Sequence, residues 1–132
     1  MMTTKLKFLL DQHMLWLASQ AKEGSQLTLF DPDFRGVDLN GLNLSEAIIP
    51  GANFAGTELS NIDFYACNLA SADFSGATLR DVQLIKSNLD YANFTNATVV
   101  GGSWFRATCV DAKIGGLTFF GTNLERTHPE LT

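Results

Sequence analysis

Residues 52–76 read Ala52-Asn53-Phe54-Ala55-Gly56, Thr57-Glu58-Leu59-Ser60-Asn61, Ile62-Asp63-Phe64-Tyr65-Ala66, Cys67-Asn68-Leu69-Ala70-Ser71 and Ala72-Asp73-Phe74-Ser75-Gly76. Each group of five has a large apolar residue at its centre and a small or uncharged one two positions earlier. The same frame extends in both directions. Before Phe54 the centres are Leu29, Phe34, Leu39, Leu44 and Ile49; after Phe74 they are Leu79, Leu84, Leu89, Phe94, Val99, Trp104, Cys109, Ile114, Phe119 and Leu124. Apolar residues make up 45% of the chain. A run of this length without a miss then arises by chance on the order of once in ten million trials, which establishes the period.

The position two before each centre is often Ala (47, 52, 72, 77, 92, 97, 107 and 112) and never charged. The position just before the centre favours Asp, Asn and Thr, and the last of the five is often Gly, as at 36, 41, 51, 56, 76, 101, 116 and 121. A period of five matches neither the 3.6 of a helix nor the 2 of a strand. It suits a chain that takes a short extended step and then turns a corner. Asn, Asp and Gly make such corners accessible by tolerating left-handed backbone or by bonding it locally. Two residues in five then point inward and three outward. Four steps close a square coil, which buries its core only by stacking on further coils. The centres 34, 54, 74 and 94 are all Phe and 114 is Ile. Their spacing predicts a stacked ladder, Phe34, Phe54, Phe74, Phe94 and Ile114, along one wall. At the strand spacing of about 4.8 Å per coil, five coils make a rod roughly 24 Å long.

The steps Ala52–Gly56, Cys67–Ser71 and Ala72–Gly76 resemble the A-(D/N)-(L/F)-x-x motif of pentapeptide-repeat proteins, and the resemblance covers residues 27–126. It implies an all-β solenoid of about five coils, a right-handed quadrilateral β-helix. Residues 1–26 are expected to form a short capping α-helix and connector, and 127–132 a loose C-terminal tail. Within the first segment, Leu6, Leu9, Leu10, Met14 and Leu17 fall on one face of a helix over residues 3 to about 20, with Thr3 or Thr4 as its cap. Such a helix is expected to close the first coil, covering core side chains and strand edges. The stretch from His13 to Gly24 also resembles the leader that precedes the repeats in some bacterial members. Phe30 points outward and is expected to pack under the helix, while the last coil has no lid.

Formal charge is −5 with charged residues at 17%. This argues against direct nucleic-acid binding and is compatible with a basic partner. Cys67 and Cys109 fall in inward slots two coils apart, about 10 Å along the axis, too far for a disulfide. Two free buried thiols suggest a reducing, cytoplasmic setting. The apolar run at Phe8-Leu9-Leu10 is cut by Asp11; it is too short for a signal segment, and no stretch is read as spanning a membrane.

Two surface features stand out from the repeat. Acids concentrate early, giving a candidate acidic surface of Asp33, Asp38, Glu46, Glu58, Asp63, Asp73 and Asp81. The outward slot after the centre is mostly small in early coils but holds Tyr65, Ile85, Val100, Phe105, Val110 and Phe120 later. These six form the candidate interface, with Tyr65, Ile85 and Phe105 expected on one wall. No spacing of His, Cys or carboxylates suggests a catalytic triad, a metal or a phosphate loop, so no catalytic, cofactor or metal residue is assigned and an enzyme is not expected. The reading is a non-catalytic binding or scaffold module that docks a protein partner or forms a homodimer through its apolar C-terminal coils. The resemblance implies an alternative: a DNA mimic that binds DNA gyrase or topoisomerase IV and protects it from quinolones or toxins.

Overall fold

The structure, a computed structural model, describes residues 2–131. Every fifth residue from Asp31 to Arg126 has a left-handed backbone, with φ between 52° and 79°. The corner therefore falls two residues past each centre. The residue just before the centre holds that corner in place. Asn53 Oδ1 accepts the Ala55 N–H at 3.0 Å, Asp63 that of Tyr65 at 2.9 Å, Asp73 that of Ser75 at 2.9 Å and Asn93 that of Thr95 at 3.0 Å. An Asp or Asn side chain closes a local ring onto the backbone two residues on, which is why these types recur at this place.

Four such corners complete a coil, and parallel bridges pair residues 20 apart, as in Asn53 with Asp73 and Asn68 with Asn88. Backbone bonds run in both directions between coils: Phe54 N–H donates to Asp73 O at 2.7 Å, and Asp73 N–H to Ala52 O at 2.8 Å. One wall is regular enough to form a parallel sheet of β1 (Glu58–Ser60), β2 (Thr78–Arg80), β3 (Thr98–Val100) and β4 (Thr118–Phe120), in that order. Leu59, Leu79, Val99 and Phe119 are in register across it. The other corners are tightened by a bond from the next small residue back to the centre, such as Ala77 N–H to Phe74 O at 3.0 Å. Along the sheet that bond is missing after Leu59, Leu79, Val99 and Phe119, where the small slots hold Ile62, Val82, Gly102 and Thr122.

The shaft is filled. Ile49, Phe54, Leu69, Leu84, Leu89 and Trp104 have no exposed surface. Phe34, Phe54, Phe74 and Phe94 stack with centroid separations of 5.3, 5.0 and 4.8 Å. Each buried ring contributes about 2–3 kcal/mol of transfer free energy. Beyond Phe94 the aromatic path turns onto Trp104 at 4.8 Å, which meets Phe119 edge-on at 5.2 Å.

Three expectations are corrected. Ile114 keeps the ladder register through the pairing of Asn93 with Lys113, yet it is 45% exposed because no described residue stacks above it. Phe30 is 73% exposed and does not pack under the helix. The segment after 126 is not loose at its start. Thr127 is buried and its Oγ1 donates to Trp104 O at 3.0 Å, while Cys109 N–H donates to His128 O at 2.7 Å. The solenoid thus continues into a sixth passage of that wall.

The N-terminal segment forms α1 (Thr4–Ala18), with Thr3 Oγ1 accepting the Leu6 N–H at 3.0 Å. It lies on the first coil, with Leu10 and His13 buried and Leu6, Leu9 and Met14 packed against the core. His13 fastens it: Nδ1 accepts the Leu27 N–H at 2.9 Å and Nε2 lies 2.9 Å from Ser45 O. The helix is a lid.

Candidate docking wall

The wall built on Leu44, Phe64, Leu84, Trp104 and Leu124 carries the clearest surface feature. Its outward slots after the centre hold Ser45, Tyr65, Ile85, Phe105 and Glu125. Ala66 N–H donates to Ile85 O at 2.9 Å and Lys86 N–H to Phe105 O at 2.9 Å, which fixes Tyr65, Ile85 and Phe105 in one column. Tyr65 is 38% exposed, and Ile85 and Phe105 are half-buried. The other interface candidates lie elsewhere. Val100 and Phe120 pair across β3 and β4 on the preceding wall, where Phe120 is exposed. Val110 sits on the following wall, its N–H donating to Asp90 Oδ1 at 2.9 Å. The six are therefore a column of three, a pair and a single residue.

The acidic candidates are dispersed further. Asp33 and Asp73 belong to the Phe wall, Asp38 and Glu58 to the β1–β4 wall with Asp81 at its corner, and Asp63 and Glu46 to the Trp104 wall. Asp38, Asp63 and Asp73 accept backbone N–H groups of Asn40, Tyr65 and Ser75. Asp33 does the same for Arg35, whose guanidinium also bonds it and holds its carboxyl down to about 2. These acids serve corners on three walls and do not make one face.

A feature not read from the sequence lies beside the apolar column. The corner positions of the Trp104 wall hold Glu46, Ala66, Lys86, Arg106 and Arg126, so three cations fall on successive coils. Lys86 Nζ lies 5.8 Å from the centroid of the Tyr65 ring, and Arg106 Cζ lies 5.4 Å from that of Phe105. The 20-residue spacing of these cations was available as a signal; counting charge by halves of the chain conceals it.

The remaining reactive groups are buried. Desolvation pushes the Cys67 thiol up to about 12 and the Cys109 thiol to about 11, far from the thiolate that nucleophilic chemistry uses. Among the described residues no group of three or more His, Cys, Asp or Glu could hold a metal ion. Surface depressions lie outside the rod, one lined by Arg35, Asp38, Asn40 and Glu58 and another between α1 and Leu42. No helix among the described residues is long and apolar enough to cross a membrane.

Coils of five-residue sides, a filled shaft and corners closed by Asp or Asn define a pentapeptide-repeat solenoid. The family model for pentapeptide repeats matches in eight copies over residues 33–64 and 67–101, about half of the chain. The chain belongs to that family. Among solved structures, a pentapeptide repeat protein from the Arabidopsis thaliana thylakoid lumen is 28% identical, with a TM-score of 0.50 over 73% of this chain and 60% of that one. A trypsin-treated form of QnrB1, a plasmid-mediated fluoroquinolone resistance protein, is 26% identical, with a TM-score of 0.57 over 76% of this chain and 61% of that one. Full-length QnrB1, at 20% identity and a TM-score of 0.64 over 77% and 58%, shares the fold. The chain thus spans about three-fifths of the length of these proteins. No curated protein sequence gives a significant match.

Proposed function

We propose that this chain is a non-catalytic docking module that holds a protein partner against the wall bearing Tyr65, Ile85 and Phe105. The observation that carries this reading is the column itself. A large apolar residue in an outward slot adds nothing to the shaft, and most equivalent slots hold residues such as Ser45, Ala55, Ala70 and Ser75. Apolar groups aligned on a rigid wall favour association, because little ordering is needed on binding. The filled shaft and the thiols held protonated support a binding role over catalysis. Two unpaired buried thiols fit the cytoplasm.

The test is Phe105→Glu, examined by light scattering and by capture of partners from native lysate. Loss of a central aromatic anchor is expected to weaken association by about thirtyfold, near 2 kcal/mol. The same experiment with Phe120→Glu reads self-association through the C-terminal coils. A wild-type monomer that captures the same proteins as the Phe105→Glu variant would overturn the reading.

The likeness to QnrB1 favours a second reading, a DNA mimic that binds a type II topoisomerase. The dispersal of the acids over three walls supports the first reading over it. Gyrase supercoiling with and without ciprofloxacin separates them: unchanged activity at excess protein removes the second.

A further inference from the structure

We propose that the corner carrying Lys86, Arg106 and Arg126 makes this wall a receptor for an acidic peptide segment with apolar side chains, presented by a protein partner. The proposal rests on the docking reading and names the partner's chemistry.

The corner is poorly suited to stability. Lys86, Arg106 and Arg126 hold φ of 58°, 59° and 56°, a conformation that Gly and Asn adopt with less strain than a long side chain does. The Phe wall places Gly36, Gly56, Gly76, Asn96 and Gly116 at its equivalent corners. Coils lie about 4.8 Å apart, so three like charges in register also repel. Among the described residues the ion pairs are Lys7 with Asp11 and Arg35 with Asp33, and none involves these three cations. Of the acids on the same wall, Asp63 is turned onto the Tyr65 N–H at 2.9 Å, Glu46 stands two coils below Lys86, and Glu125, although next to Arg126, forms no ion pair with it. Like charges held in register over three coils point to an anionic ligand that neutralises them.

The cations do not stand apart from the apolar column. Lys86 reaches over Tyr65 and Arg106 over Phe105, so apolar surface and positive charge form one strip. Its complement presents carboxylates beside apolar side chains. The cationic edge spans two coil steps, roughly 10 Å, enough for two or three carboxylates. Nucleic acid draws its affinity from many phosphate contacts, and a chain of net charge −5 repels a long polyanion. The geometry favours a short acidic peptide.

The test uses the whole chain and the triple variant K86N/R106N/R126N, in which Asn accepts the left-handed corner and the Tyr65–Ile85–Phe105 column is untouched. The probe is a short fluorescein-labelled peptide of alternating Glu and Leu, with a Gln-for-Glu analogue, a single-stranded oligonucleotide and anionic vesicles as comparisons. The acidic peptide is expected to bind the wild type, to weaken as salt rises, and to bind the triple variant about tenfold more weakly. The melting temperature of that variant is expected to be unchanged or raised. Equal binding of the Glu and Gln peptides, or equal binding to both proteins, would overturn the charge assignment and leave the docking reading standing. Failure of both peptides to bind would count against both. Tighter binding of the oligonucleotide or the vesicles, or a large fall in the variant's melting temperature, would also overturn the proposal.

Discussion

Gly102 and Gly56 share a left-handed backbone, at φ 72° and 68°, but not their surroundings. A Cβ on Gly56 would meet nothing within 4 Å, whereas one on Gly102 would stand 2.2 Å from Val82 O. Gly56→Ala is therefore expected to cost only the conformational term, about 1–2 kcal/mol. Gly102→Ala adds a backbone collision in a rod that cannot open locally, and is expected to cost about 3 kcal/mol or more. Urea unfolding midpoints of the two variants check this; equal losses would contradict the close approach. The frame of five places Gly102 in a slot where Ala is common, so its identity reads as unremarkable in the sequence. The approach to Val82 is set by a residue 20 positions away and becomes visible only once the coils are stacked. The charged residues teach the same lesson. Asp33, Asp38 and Asp63 look like one acidic surface when counted along the chain, and separate onto three walls when the chain is wound.

At the scale of elements, the inward and outward sides were legible because every wall obeys one rule; Leu69, Leu89 and Trp104 are fully buried as the period requires. The helix was legible from its apolar face and its Thr3 cap. Its attachment was not, because His13 bonds to Ser45 across 32 residues. Burial lowers the His13 pKa from its ordinary 6.5. With Nδ1 accepting the Leu27 N–H, the neutral ring carries its proton on Nε2 and donates to Ser45 O. The unfolded chain then binds a proton more readily than the folded one. This stability is present above about pH 6.5 and declines as pH falls toward the lowered folded value. The melting temperature of the wild type is expected to drop between about pH 7.5 and pH 5, and His13→Gln to flatten that slope while lowering stability at neutral pH by about 1–3 kcal/mol. A slope unchanged in His13→Gln would assign the pH dependence to other groups.

Over the whole molecule, stability is a sum of coil-to-coil contacts, so the ends of the rod open more readily than its middle. The two thiols report this directly. Cys67 is held in the interior by a bond from Sγ to Leu44 O at 2.9 Å, whereas Cys109 lies directly under the terminal passage at His128. In native conditions a thiol reagent is expected to label Cys109 about tenfold faster than Cys67, or more. Mass spectrometry of peptides from each coil reads the ratio. Equal rates would mean that the rod opens as a single unit.

The stacked Phe34–Phe94 rings repeat once per full turn. Duplicating residues 55–74 would therefore lengthen the molecule by one storey and keep every vertical line of side chains intact. Inserting a single group of five in the same place would swing everything above it through a quarter turn. The rings would then sit over a neighbouring row, and an insertion after Phe74 would turn Ile85, Lys86, Phe105, Arg106 and Arg126 together away from Tyr65. Growth of such a rod without loss of its surface pattern proceeds in quanta of twenty residues, however freely its five-residue units appear to be exchangeable.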